Sequence, residues 1–177
     1  MKMLKKMLAI VLTGAMALTL LTACGSNAVN DKNIADVMSD MAKVTNKDVT
    51  FTPRAKEREM AQKLAALLES HSEDDSNSAE LSAKIQGILG IDQGGVNENN
   101  FVWVQNALTD KLGAEGQAFQ VMESLTDKGG AYNFSSLGSK EPADTRYMGT
   151  ALCKIPDQKD NLVTVRVIVV TAKAEDE

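Results

Sequence analysis

Near its C-terminus the chain reads Leu162-Val163-Thr164-Val165-Arg166-Val167-Ile168-Val169-Val170-Thr171, a β-branched run with no glycine or proline. Side chains alternate across a strand, so Val163, Val165, Val167 and Val169 share one face, and Leu162, Thr164, Arg166, Ile168 and Val170 share the other. A second β-prone run, Arg146 to Ile155, precedes it, with Pro156-Asp157-Gln158-Lys159-Asp160-Asn161 between the two. That spacing predicts a β-hairpin with a longer loop. An isolated hairpin is marginal in water, so at least one of its faces has to pack on helices or a third strand.

Upstream the pattern changes from period two to the helical period. Ile34, Val37, Met38, Met41 and Val44 lie on one face of an amphipathic helix that ends near Asn46. Val49-Thr50-Phe51 is short and β-prone, an edge strand or a connector. Thr52-Pro53 predicts a helix start, a hydroxyl cap followed by proline at the first helical position. Met60, Leu64, Leu67 and Leu68 give that helix its core stripe. Asn77 and Glu80 form a capping pair before Leu81, Ile85, Ile88 and Leu89, with Gly90 as the stop. Phe101, Val104, Leu108 and Leu112 predict a helix capped by Asn99 or Asn100 and stopped at Gly113. Phe119, Met122 and Leu125 predict one more short helix, ended by Gly129-Gly130. The expected fold class is therefore α+β: several amphipathic helices followed by a C-terminal antiparallel hairpin packed on them.

The chain has 177 residues, 19 Lys+Arg against 24 Asp+Glu, one His and two Cys. This length fits one ordinary domain. A net charge of -5 argues against nucleic acid as a partner, which calls for a basic face. One His and two Cys exclude multi-His and Cys-rich metal sites.

The N-terminus carries an address. Lys2, Lys5 and Lys6 form a positive start, and Leu8 to Leu21 carries no charge. This apolar run is short for a membrane-spanning helix and ends in Leu21-Thr22-Ala23-Cys24. In these residues, 1–24 only, the sequence resembles the bacterial lipoprotein signal with its lipobox. The resemblance implies diacylglyceryl transfer to the Cys24 thiol and cleavage between Ala23 and Cys24. Residues 1–23 are then a cleaved signal peptide, 24–33 a lipidated tether and 34–177 a single α+β domain. The expected location is extracytoplasmic, lipid-anchored to the cell membrane, and to the outer membrane where there is one, since Gly25 rather than Asp follows the cysteine. Two acyl chains anchor stably, each buried methylene contributing about 0.8 kcal/mol. Loss of the three lysines takes the net charge from -5 to -8, so the lipid rather than a basic patch must hold the chain there.

Catalytic patterns fail one after another. His71 is the only imidazole, and its place at a helix C-terminus is explained by the helix dipole. No Gly-x-Ser-x-Gly elbow and no phosphate-binding Gly-x-x-x-x-Gly-Lys loop occurs. Asp74-Asp75-Ser76-Asn77-Ser78 does not fit the calcium-loop template, having Ala79 and Ile85 where glycine and glutamate belong. Arg146 to Thr171 looks like the closing strands of the secreted CAP-type module, but that cleft needs two His and two Glu, so its residues do not carry over. With Cys24 lipidated, Cys153 has no disulfide partner and reads as a small buried hydrophobe. Trp103, Tyr132 and Phe134 are the candidate ligand-binding residues, with Trp103 reading first as a core anchor and Tyr132 and Phe134 reading equally as a packed loop. Catalytic residues, metal and cofactor are all expected to be none. The expected function is a non-enzymatic binding or interaction module of the cell envelope, its partners the membrane through Cys24 and an envelope protein. The alternatives are a small-ligand or peptide-binding lipoprotein and, ranked last, a carboxylate-dependent hydrolase.

Overall fold

The computed structural model describes residues 29–45, 47–70, 78–91, 101–109, 112–126, 140–157 and 160–175. In chain order the elements are α1 (Asp31–Val44), β1 (Thr50–Pro53), α2 (Ala55–Ser70), α3 (Ser78–Leu89), β2 (Phe101–Leu108), α4 (Ala114–Thr126), β3 (Thr145–Pro156) and β4 (Leu162–Ala172). The α+β class holds. The hairpin of β3 and β4, however, is the middle of a four-stranded sheet in the order β1-β3-β4-β2. β1 runs parallel to β3, from Thr50↔Thr145 to Pro53↔Met148, and the other pairings are antiparallel.

Both faces of β4 are apolar because both are covered. Val165, Val167 and Val169 join Met60, Ala61, Leu64, Leu89 and Val102 in one buried cluster. Ile168 and Val170 join Ile34, Met38, Phe101, Trp103, Val121 and Leu125 in the other. The sheet thus lies between a layer of α1 and α4 and a layer of α2 and α3. Strands buried on both faces read as continuous apolar runs, and that is what β4 is.

The same burial explains the largest correction. Phe101 to Leu112, expected to be a helix, is the strand β2 as far as Leu108, paired with β4 from Phe101↔Ala172 to Leu108↔Val165. Phe101, Trp103 and Ala107 face α1 and α4, while Val102 and Val104 face α2 and α3. With apolar residues on both faces, period two is masked, and the chance spacing of Phe101, Val104 and Leu108 imitates a helix. The aromatic and β-branched start was the better signal.

Smaller differences lie at element ends. α1 opens three residues before Ile34, because the Asn30 side chain accepts a hydrogen bond from Asn33 N at 3.0 Å and caps it. Thr52 and Pro53 belong to β1 rather than to the helix, which begins at Ala55. Gly90 does stop α3: at φ 67° it lets Ile91 N donate to Gln86 O at 2.8 Å and Gly90 N to Gly87 O at 3.2 Å. α4 is longer than expected and buries Ala118, Val121 and Leu125, whereas Phe119, placed on the core side by the sequence, is 59% exposed. The buried stripe runs through Ala118, Val121 and Leu125, one position round the helix from Phe119, which therefore turns outward.

Residues 1–28, with Cys24 and the cleavage site, lie outside the described residues, as do His71 to Asn77, Tyr132 and Phe134. Among the described residues, no helix is long and apolar enough to cross a membrane.

Candidate functional site

β1 is only four residues long. Its pairing with β3 closes where Arg54 N donates to Met148 O at 2.8 Å, and the chain then leaves the sheet as α2. From Gly149 onward β3 is the sheet edge. Backbone polar groups alternate sides along an antiparallel strand. Met148 O points towards β1, and Lys154 N on the same side donates to Glu69 Oε1 at 2.8 Å. Between these two points Thr150 and Leu152 turn their N–H and C=O groups to the side that β1 leaves open. The result is a notch between α1 and α2 of about 590 Å³, lined by Asn30, Asp31, Arg58, Gln62, Thr150, Ala151, Leu152 and Arg166.

A buried polar network forms its wall. Asp31, in the first turn of α1, accepts from Thr150 Oγ1 at 2.6 Å through Oδ1 and from Arg58 Nε at 2.7 Å through Oδ2. Arg166 projects from the middle of β4 into the same layer. Its Nε donates to Gln117 Oε1 at 2.8 Å, Nη1 to Thr150 Oγ1 at 2.9 Å and Nη2 to Val29 O at 3.2 Å. The Thr150 hydroxyl therefore accepts from Arg166 and donates to Asp31, linking a buried cation to a buried anion. Burial pulls the Arg166 guanidinium below its ordinary pKa, and the charge of Asp31 opposes that shift. An arginine stays charged nonetheless. Arg58 differs: its side chain is 52% exposed, and only its Nε is engaged among the described residues. Two guanidinium groups against one carboxylate leave the notch with a local charge of +1 in an acidic protein.

A second hollow of about 260 Å³ is lined by Lys47, Asp48, Val49, Glu141, Pro142, Asp144, Arg146 and Glu175. Arg146 is almost wholly buried, its Nη1 donating to Leu125 O at 3.0 Å and its guanidinium lying 4.5 Å from the Trp103 ring centre. Desolvation brings its pKa down to about 10, with the charge of Asp144 opposing. Among the described residues, no three His, Cys, Asp or Glu side chains converge to hold a metal ion.

Trp103, one of the three candidate binding residues, is fully buried and stacked on Phe101 with ring centres 5.9 Å apart. It is a core residue of β2, not the wall of the notch. Cys153 is buried as expected, among Val165, Val167 and Met60. Burial first, and the charge of Glu69 second, push its thiol up to about 11. Iodoacetamide at neutral pH should leave Cys153 unlabelled in the folded protein and label it in denaturant, read by intact mass. Rapid labelling without denaturant would contradict this burial.

The notch residues Asp31, Arg58, Thr150 and Arg166 were not singled out from the sequence. Arg166 carried the one available signal, a charge in the middle of an otherwise apolar strand, since such a charge is buried only with partners. Asp31 fell within the expected tether, and Arg58 read as an ordinary surface position of its helix. No protein-family model, no curated protein and no solved structure matches this chain.

Proposed function

We propose that this chain is a lipid-anchored protein of the bacterial cell envelope and acts there as a non-enzymatic binding module. The observation that carries the reading is Leu21-Thr22-Ala23-Cys24 at the end of an uncharged run behind three lysines. A lipid on Cys24 would sit close to the domain. Val29 already packs against the core, and four residues separate it from Cys24, so five steps of roughly 3.3 Å keep a lipid on Cys24 within about 17 Å of it. Arg166 donates to the Val29 carbonyl, which puts the first described residue beside the notch. The notch offers hydrogen-bonding edge groups and a guanidinium, the means of recognising a partner rather than of breaking a bond. Among the described residues its lining carboxylate is Asp31, already shared by two donors, which does not supply the acid pair that carboxylate hydrolysis needs.

Replacing Cys24 by serine removes the thiol that would carry the lipid. Cys24→Ser is expected to shift the protein from the membrane fraction of its host to the soluble fraction. Retention in the membrane at the unaltered level would refute the anchor.

A further inference from the structure

We propose that the notch at the open edge of β3 binds an extended peptide segment carrying a carboxylate, which adds as a short strand beside Thr150 and Leu152 and places its acid on Arg58. The proposal rests on the reading of the protein as a binding module and gives that module a ligand class. Three observations converge on it.

The first is the sheet edge itself. β1 covers β3 only as far as Met148, and Glu69 takes the edge again at Lys154 N. Gly149 and Cys153 are buried, and the notch reaches Thr150, Ala151 and Leu152, so at about 3.3 Å per residue the open edge measures roughly 10 Å, room for about three extended residues. Thr150 and Leu152 aim alternate backbone donors and acceptors into it, the pattern that a strand satisfies and a lone ion does not.

The second is charge. Asp31 fixes Arg58 through Nε at 2.7 Å and so orients the guanidinium. Its two terminal nitrogens have no partner among the described residues, and they form the fork that a carboxylate matches. Arg166 adds a second positive charge behind it, while the chain as a whole is acidic. An acidic group is therefore repelled by most of this surface and attracted here.

The third is the exposed Leu152 side chain, 53% accessible on the same edge. It offers apolar contact to the side chain of a neighbouring strand, as cross-strand pairs require.

The test uses the protein from its own host, purified in a maltoside detergent, and a phage-displayed library of random heptapeptides. Selected peptides are expected to carry Asp or Glu at one fixed position among β-branched residues. A synthetic peptide of the selected sequence is expected to bind Arg58→Gln about tenfold more weakly than the unaltered protein. In the unaltered protein, binding is expected to slow amide exchange at Thr150 and Leu152 by about tenfold or more. This second readout decides the matter alone if Arg58→Gln does not fold. Selection of no peptide, selection without an acidic position, or protection elsewhere than β3 would overturn the proposal. So would occupation of the notch by millimolar inorganic phosphate with no peptide selected, which would make it a plain anion site. The mass of the same purified protein reports the lipid on Cys24, so failure here is distinguishable from failure of the anchor.

Discussion

Gly149→Ala is expected to cost at least about 3 kcal/mol and to prevent folding where the domain is only marginally stable. The reason is the approach of α2 to β3. A Cβ placed on Gly149 falls inside the backbone of Glu57 and Arg58, overlapping the Arg58 nitrogen and Cα and the Glu57 carbonyl carbon. A flexible side chain would swing aside, but helix backbone cannot, so the first turn of α2 must lift from the sheet. That turn holds Glu57 and Arg58, so both polar clusters are disturbed together. Overpacking usually costs about 1–3 kcal/mol, and a backbone obstacle belongs at the top of that range or beyond it. Thermal unfolding followed by circular dichroism measures this as a fall in Tm of roughly 10 °C, at about 2–4 °C per kcal/mol for a domain of this size. A Tm within a degree or two of the unaltered protein would mean that α2 does not rest on β3 as described.

The second large effect lies on the other side of the same turn. Glu57 is fully buried. It accepts from Arg54 through both oxygens, with Arg54 Nε at 2.6 Å from Oε2, and from Thr171 Oγ1 at 2.7 Å. Arg54 is itself held 4.0 Å from the centre of the Tyr147 ring. Glu57→Ala leaves the Thr171 hydroxyl without its acceptor and strips Arg54 of its carboxylate. Breaking a buried pair costs about 3–5 kcal/mol, and the lower end applies because Arg54 is partly exposed. Glu57→Gln keeps the volume and one acceptor oxygen and is expected to cost less.

The pair also sets an acid limit. Burial alone would raise the Glu57 pKa, but the hydrogen bonds from Arg54 and Thr171, with the charge of Arg54, outweigh it and hold the carboxyl below its ordinary 4.5. Between the folded and the unfolded pKa the unfolded chain binds more protons. The contribution is therefore complete above the unfolded value and is lost as pH falls through the folded one. Denaturant midpoints taken from neutral pH downwards should show the stability gap between the unaltered protein and Glu57→Gln closing below about pH 4.5. A gap that stays constant across that range would mean that Glu57 is not an ionised, paired carboxylate.

What the sequence made legible follows from where each element packs. β4 was readable because its long β-branched run has the composition of a strand even with both faces buried, and β3 because it precedes that run across a polar loop. α2 and α3 were readable because each covers one face of the sheet and keeps a polar back. β2 was misread because it is buried on both faces, which removes the alternation that distinguishes a half-buried strand. Phe119 was misplaced because the pattern weighs hydrophobicity, and the small Ala118 beside it takes the buried position instead. The notch was the least legible feature. It arises from the shortness of β1, a tertiary fact, and it joins Asp31, Arg58, Thr150 and Arg166 from four separate elements. Only the charge of Arg166 within the apolar run pointed towards it.

Whether the mature chain begins at a lipid-bearing Cys24 is decided by the intact mass of the protein purified from the membranes of its host. The expected mass is that of residues 24–177 plus a diacylglyceryl group, with the added mass placed on Cys24 by fragmentation. A full-length mass of 19.0 kDa, or a chain cut elsewhere with an unmodified Cys24, would contradict it.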